Sequence, residues 1–505
     1  GIIMIIAADF ALRQIRGQLQ AYLGARLDNQ VNESAFRQLL HMQLNFTENA
    51  PVGSQLTRLK QMGSIRDAFT GMLVNSVFDL PFLLLFLVVI AMIGGSLVYV
   101  PIALMVGYAV IAAWAIPTTK RLVRTAGDRK SKLHNLLVEA VSSQATIHEL
   151  HAEESWLERH RKLSAQAVEA NMKARQANVL VQTLSQSFVT MAGVMTLAIG
   201  VHQVIEGTLS AGALIAVMAL SWRVLGPIRN IFLSGLTLGQ TLQSIDQVDR
   251  LLRMNVERQP NAAPSIVRDF KGHIVFDRLS FRYPTQREPA LRGVSFTAAP
   301  GQLVCITGQS GAGKTTTLKM LLGLYDQQAG SIFVDGLDVR QIEAGEWRQS
   351  VSVTPEDSDF FFGTLAQNIR LAAPDASDED IHNMAKRFGL NRYYSTVLDQ
   401  GLDTKVTAAA LATWPDALKK RLSLCRTFIR HSSVYLLDNP SDNLDDDGEQ
   451  ALLEIIAERR QKSTILMVTH RPSHMRLAEQ VVWLDQGAVR AAGSPDDIIP
   501  ALLAA

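Results

Sequence analysis

The chain has 505 residues, the length of about three average domains, and a formal net charge of only +2, which gives no basis for nucleic-acid binding. Its 48% hydrophobic content and mean hydropathy of +0.11 are too high for an ordinary soluble protein, and the excess lies before residue 240. Two cysteines, Cys305 and Cys425, have no metal-ligand spacing; this excludes a disulfide framework or zinc site and predicts buried thiols of a reducing compartment.

The chain opens on an apolar run, residues 1–9, that reads as the end of a membrane span entering the cytoplasm. More membrane helix is expected upstream of Gly1, an upstream peptidase-like domain is compatible with that opening, and no signal peptide is visible. Between Asp79 and Lys120 there is no Asp, Glu, Lys or Arg, a stretch about twice the ~20 residues that one helix needs to cross a bilayer. It divides at Gly94-Gly95-Ser96 into spans near 77–94 and 97–117, with Pro81 and Pro101 expected in the early turns of their helices, where a missing N–H costs least. Two more spans fall near 180–204 and 211–233, separated by Glu206-Gly207-Thr208. Residues 1–252 therefore read as an all-α transmembrane domain. The segment from Lys120 is basic (Lys120, Arg121, Arg124, Arg129, Lys130 and Lys132), whereas the short loops at 94–97 and 205–210 carry no Lys or Arg, so the long segment is expected in the cytoplasm.

Residues 10–73 and 120–178 are polar and helical by pattern and too long for loops, so the membrane helices extend beyond the bilayer. Their turning points, Asn45–Val52 and Glu149–Trp156, either touch the following domain or end as solvated hairpins. Arg223, beside Trp222 in the last span, either lines a translocation path, snorkels, or lies below the bilayer in an extended helix.

Residues 253–270, with Pro260 and Pro264, lose helical periodicity and form a linker. From 271 to 505 short β-rich runs alternate with helices: Ile274–Phe276, Ser280–Tyr283, Leu303–Thr307, Ser331–Val334, Val434–Leu437, Thr464–Val468 and Val481–Leu484. This is an α/β domain with a mainly parallel core sheet. Its most specific feature is Gly308-Gln309-Ser310-Gly311-Ala312-Gly313-Lys314-Thr315-Thr316, which fits the P-loop pattern and stands between an apolar strand and a helical run at Thr317–Leu322. Backbone N–H groups there turn toward phosphate oxygens, and the helix adds its positive N-terminal end. Lys314 is placed for the β- and γ-phosphates of a nucleotide and Thr315 for Mg²⁺.

Further runs make the chain resemble an ABC exporter of the permease-plus-ATPase type. Val434–Asp438 resembles a Walker B strand whose terminal Asp holds Mg²⁺ through water, and Thr469-His470-Arg471-Pro472 resembles the segment of the switch histidine. Tyr283, in Phe-Arg-Tyr-Pro, matches the aromatic that stacks on adenine, and Phe361–Ile369 is similar to the run after the Q-loop. Val77–Pro81, Asn443-Leu444-Asp445 with Gly448-Glu449, and Thr469–Ser473 are similar to type I secretion permease/ATPases. The resemblance implies a bacterial inner-membrane, multi-pass protein with a cytoplasmic ATP-binding domain, ATP and Mg²⁺ as ligands, and a dimer of such half-transporters. For secretion it further implies a polypeptide cargo, a periplasmic adaptor and an outer-membrane channel.

The parts that the family uses for hydrolysis are altered. The base position after Asp438 is Asn439, whose amide cannot take a proton at neutral pH. The signature position, normally Leu-Ser-Gly-Gly-Gln, is Trp414-Pro415-Asp416-Ala417-Leu418 when aligned on Arg421–Arg426, with a one-residue slip still open. Pro415 has no N–H and Asp416 repels phosphate, although Pro-Asp is also an ordinary helix opening. The Q-loop position is Glu356, either a Mg²⁺ ligand or a solvent-facing loop acid, and Asp442 replaces the Ser expected in the D-loop. The chain is thus expected to be an ATP-binding, hydrolytically impaired exporter subunit that pairs with a second ABC half-transporter rather than with itself. Competing readings are an ordinary homodimeric exporter of peptide, lipid or drug, and a non-transporting, ATP-sensing membrane scaffold.

Overall fold

The structure is a computed structural model that describes residues 2–43, 72–254, 256–257 and 268–504. It divides into two compact units, Gly1–Leu40 with Ala50–Met254, and His41–Asn49 with Asn255–Ala505.

The first unit is all helical, with helices at Ile2–His41, Met72–Gly94, Tyr99–Ser142, Gln144–Glu149, Glu153–Ile205 and Ala211–Leu252. Three stretches among the described residues are long and apolar enough to cross a membrane: Asp79–Ser142, Glu153–Ile205 and Ala211–Leu233. The first contains two of the expected spans, joined by one 3₁₀ turn at Gly95–Val98 that opens on Gly95 at φ +51°. Pro81 departs from expectation. Its helix begins at Met72, so Pro81 is the tenth residue and lies inside the helix, where it removes one backbone hydrogen bond, and not in a turn where the missing N–H costs little. Pro101 is the third residue of its helix, as expected.

The core of this unit gathers Leu83, Ile90, Leu97, Leu104, Tyr108, Val217, Val224, Leu225 and Phe232. Small residues set the closest approaches: a Cβ on Gly107 would lie 2.6 Å from the Phe188 ring and one on Gly200 2.2 Å from Leu214 Cδ1. Tyr108 OH donates to the Ser185 carbonyl at 2.7 Å, so its buried hydroxyl is satisfied. Gln203 Nε2 donates to Ser96 Oγ at 2.7 Å and ties the end of the helix Glu153–Ile205 to the turn at Gly95–Val98. Arg223 is exposed, between buried Ser221 and buried Val224. The expected turn near Glu149–Trp156 is present at Leu150–Ala152, with His151 at φ +49°. The other, Asn45–Val52, lies outside the described residues, as does most of the linker.

The second unit recruits the chain just after the first helix. Met42 pairs antiparallel with Val256, and Glu257 N donates to the His41 carbonyl at 2.9 Å. Arg348 clamps Glu257 with two bonds at 2.7 and 3.1 Å and also donates to the carbonyls of Leu322 and Gly323. Twelve strands follow: β1 Ile274–Phe281, β2 Leu291–Ala298, β3 Leu303–Gly308, β4 Ala329–Val334, β5 Leu337–Asp338, β6 Val351–Thr354, β7 Gly363–Thr364, β8 Lys405–Val406, β9 Val434–Asp438, β10 Thr464–Val468, β11 Gln480–Asp485 and β12 Ala488–Gly493. The core sheet has the order β12-β11-β3-β10-β9-β6 and is parallel apart from β12. A smaller antiparallel sheet, β2-β1-β4-β5, packs over one side. Helices from Leu365 to Phe428 form a second apolar cluster on the other side, around Phe388, Trp414, Leu418 and Phe428.

The fold class therefore matches the sequence reading, and its differences are local. The run 274–276 and the first half of 280–283 belong to one strand, β1, which ends at Phe281 and is broken in register where Arg278 sits at φ +47°. β2, β6 and β12 escape the pattern because Gly293, a four-residue length and an Ala-rich sequence hide their alternation.

Candidate functional site

β3 ends at Gly308, and the chain turns through Gly311 (φ +81°) and Gly313 (φ +95°) into the helix Lys314–Leu321, three residues earlier than its apolar pattern predicts. These glycines are required for different reasons. A Cβ on Gly308 would lie 2.1 Å from the Leu484 carbonyl oxygen, and one on Gly313 2.6 Å from that of Ala290; at Gly311 nothing stands within 4 Å. Gly308→Ala is therefore expected to distort the loop and, on the phosphate-cradling role that the P-loop pattern implies, to weaken nucleotide affinity by about tenfold or more, the effect of losing one or two charge-assisted hydrogen bonds. Gly311→Ala should cost only the left-handed conformation, about 1–2 kcal/mol. Thermal melts and nucleotide titration of both variants check this, and equal losses would refute it.

The loop, the β1 end, the turn after β6, the β9 end and the β10 end enclose a cleft of about 590 Å³. It is lined by Tyr283, Gly308, Ser310, Gly311, Gly313, Lys314, Thr315, Thr316, Glu356, Asn439 and His470. Of the P-loop residues, Gln309 contributes its carbonyl to Lys314, and Ala312 turns into the core. Lys314 Nζ donates to the carbonyls of Gly308 and Gln309 at 2.9 and 2.8 Å. Burial lowers its pKa, and the charges of Asp438 and Glu356 oppose that shift. Tyr283 OH bonds to Thr316 Oγ1 at 3.1 Å, and its ring meets Phe281 and Tyr325 edge-on at 5.0 and 5.3 Å.

Asp438 ends the fully buried strand β9. Burial raises its carboxyl pKa and the Glu356 charge adds to this; the Thr315 hydroxyl, Lys420 and Lys314 pull it back. Its Oδ1 is buried with no hydrogen-bond partner among the described residues. An orphaned carboxylate oxygen beside the Thr315 hydroxyl suits a hard cation reached through water. Among the described residues no group of three His, Cys, Asp or Glu side chains forms a metal cage. A Mg²⁺ here would thus share its shell with phosphate oxygens and water, and the residues present fit it on those terms.

Asn439 follows at φ +42°, a conformation that Asn tolerates better than most residues. Its N–H donates to the Val468 carbonyl at 3.1 Å, and its Nδ2 stands 3.4 Å from Glu356 Oε1. His470 lies exposed just beyond β10. Sequence reasoning missed Lys420, because it falls in a Lys-Lys-Arg run that looks like a solvated helix face. Lys420 is buried, and its Nζ reaches the carbonyls of Pro355 and Glu356 at 3.4 and 3.2 Å. Burial lowers its pKa against the opposing pull of Asp442, Asp438, Glu356 and Asp357. Also missed is a network in which Glu449 accepts from Arg471 and meets buried His474 Nε2 at 2.8 Å, fixing the segment that carries His470.

Trp414–Leu418 does not line this cleft. Trp414 and Leu418 are buried in the helical cluster. Pro415 stands at the N-cap of the helix Asp416–Phe428 without a side-chain cap, and Asp416 Oδ1 accepts from Lys419 at 3.0 Å. The start of that helix carries its own acid where an anion would sit. Cys305 and Cys425 are free and buried, and burial pushes both thiols up.

Comparison with known proteins agrees with this arrangement. Residues 1–228 match the family of ABC transporter transmembrane regions, and residues 291–442 match the ABC transporter family. The chain is 25% identical, over 99% of its length and 70% of the relative's, to the cyclolysin secretion/processing ATP-binding protein CyaB of Bordetella pertussis. It is 24% identical, over 98% and 70%, to the alpha-hemolysin translocation ATP-binding protein HlyB of Escherichia coli O157:H7. The structure of a bacterial Atm1-family ABC exporter with ATP bound superposes with a TM-score of 0.86 at 23% identity, covering 97% of this chain and 86% of that one. A helical transmembrane region and an α/β domain built on a P-loop, joined in one polypeptide and each matched to its own family, make this chain a fused ABC transporter protein with the exporter fold.

Proposed function

We propose that this chain is the ATP-binding subunit of an inner-membrane exporter that translocates polypeptides in type I secretion, with slow hydrolysis in its own site. The observation that carries this reading is the composition of the cleft. Tyr283, the P-loop, Lys314 and Thr315 line it as a nucleotide requires, with Asp438 buried behind Thr315, while the base position holds Asn439. Lys314 with the loop N–H groups would hold the phosphates, Tyr283 the adenine, and Thr315 and Asp438 the Mg²⁺, whose charge neutralises the phosphates when it is bound. The secretion part of the reading is supported by relatives named for cyclolysin secretion and alpha-hemolysin translocation. On that reading an adaptor and an outer-membrane channel are further partners, and the ATP-binding domain is cytoplasmic.

ABC exporters work as dimers, each site joining one P-loop to the other subunit's signature helix. A homodimer of this chain would place Asn439 and the closed helix start at Asp416 in both sites, which favours pairing with a second ABC half-transporter. The test is nucleotide titration of the purified chain in lipid. ATP should bind, and Lys314→Ala should weaken binding by about 10–100-fold, the effect of losing charge-assisted hydrogen bonds. Fast steady-state turnover by the chain alone would refute slow hydrolysis. Failure to restore export when the chain and a second ABC subunit are supplied together would refute the secretion role.

A further inference from the structure

We propose that Glu356 is the proton acceptor for the attacking water in this site and that Asn439 is its positioning partner. The inference rests on the reading above that the cleft binds ATP. Glu356 and Asn439 are 83 positions apart in sequence and meet at 3.4 Å on one wall of the cleft. The amide therefore stands beside a carboxylate that can take a proton, which the amide itself cannot do.

The placement of Glu356 is built in from behind. Buried Lys420, on a helix packed in the domain core, holds the carbonyls of Pro355 and Glu356 at 3.4 and 3.2 Å. The backbone of this turn is thus pinned while the Glu356 side chain remains exposed to the cleft. Of the other carboxylates, Asp438 is buried behind the cleft lining, bonded by Thr315 through one oxygen and suited through the other to the cation, and Glu288, on the rim, is paired with Arg292 at 2.8 Å. His470 is the remaining acceptor of a proton and serves as the control.

The step balances as follows. A water oxygen bonds to the γ-phosphorus while the bond from that phosphorus to the β,γ-bridging oxygen breaks, leaving its electron pair on ADP. The water proton passes to the Glu356 carboxylate, which afterwards releases it to solvent. Asn439 holds the carboxylate toward the water and takes no proton.

The experiment uses the full chain in lipid, with single-turnover hydrolysis of radiolabelled ATP, the Kd of a fluorescent ATP analogue, and Mn²⁺ affinity by electron paramagnetic resonance. Glu356→Gln keeps the shape and the contact with Asn439. It is expected to lower the single-turnover rate by about 10²-fold or more, with the Kd for nucleotide and the affinity for Mn²⁺ changed less than about twofold. Asn439→Ala should lower the rate by about tenfold with the same Kd. A Glu356→Gln rate equal to the wild-type rate overturns the proposal, as does a parallel loss of Mn²⁺ affinity, which would make Glu356 a metal ligand. Loss of hydrolysis in His470→Ala but not in Glu356→Gln moves the role to His470 and also overturns it. A wild-type chain that binds ATP and releases no phosphate overturns this inference alone, whereas a wild-type chain that binds no nucleotide overturns the proposed function itself.

Discussion

Exchanging the two groups in the cleft, Glu356→Gln with Asn439→Glu, and opening the helix start with Asp416→Gly and Ala417→Gly, is expected to raise steady-state ATP turnover by about tenfold or more, a fraction of the roughly 10²–10⁴-fold that a general base is worth. The variant moves the one carboxylate base from residue 356 to the end of β9, next to Asp438, so the gain comes from its new position and from the opened helix start. The exchange must be made in both directions. Asn439→Glu alone would set a second carboxylate beside Glu356, where the native contact is 3.4 Å. Two carboxylates that close disfavour ionising together, and one would be held protonated and useless as a base. The glycines restore backbone N–H groups without side chains at a helix start whose acid is now neutralised by Lys419 at 3.0 Å. That exposed pair contributes well under about 1 kcal/mol, and each Gly in the first turn costs up to about 1 kcal/mol. A further cost of about 1 kcal/mol arises at residue 439, because Glu is less at ease than Asn at φ +42°. Phosphate release by the chain in lipid measures the gain, with nucleotide affinity as the control. Unchanged turnover with intact binding would place the lesion elsewhere.

Legibility in the sequence followed the strength of the physical constraint. The P-loop could be read because its glycines answer to backbone oxygens within 3 Å, at Leu484 for Gly308 and at Ala290 for Gly313. The buried parallel strands could be read as well, since β3, β9 and β10 are nearly continuous apolar runs. Strands on the domain's periphery could not: β2 carries Gly293, and β12 is mostly small residues. Pro81 was misplaced because the apolar pattern marks where a span becomes hydrophobic, not where its helix begins. The contact between Glu356 and Asn439 depends on β6 lying beside β9, an order that no local pattern encodes. Lys420 was hidden for the same reason: its ammonium is held by carbonyls from a turn 64 and 65 residues away.

Replacing Asp445 by Ala should destabilise the ATP-binding domain by about 3 kcal/mol. Asp445 Oδ1 accepts from the guanidinium of Arg421, which is 1% exposed, and from Gly448 N at 3.1 Å as the N-cap of the helix Asp446–Arg459. Arg421 also donates to the Phe388 carbonyl, and its Nε is buried without a partner among the described residues. The guanidinium packs directly against two glycines: a Cβ on Gly389 would lie 2.7 Å from it and one on Gly448 3.1 Å. Removing one partner of a buried pair costs about 3–5 kcal/mol, because the other charge is left uncompensated, and losing an N-cap adds about 0.5–2 kcal/mol. Asp445 is itself half-exposed, so the pair term is discounted for screening, and about 3 kcal/mol remains for both effects. In a domain of this size that is a melting shift of roughly 6–12 °C. The pH dependence has a definite sign. Burial alone would raise the Asp445 carboxyl, but the Gly448 N–H and Arg421 outweigh it and hold the group below its ordinary range. Its contribution is therefore complete above the unfolded carboxylate value and is lost as pH falls through the lower, folded value, so Asp445→Ala should flatten the acid side of the stability profile. Arg421→Met with Asp445→Ala completes the cycle. The double variant should lose less than the sum of the two single losses, since the unpaired buried charge is then gone, and strict additivity would show that the cap, and not the ion pair, carries the effect.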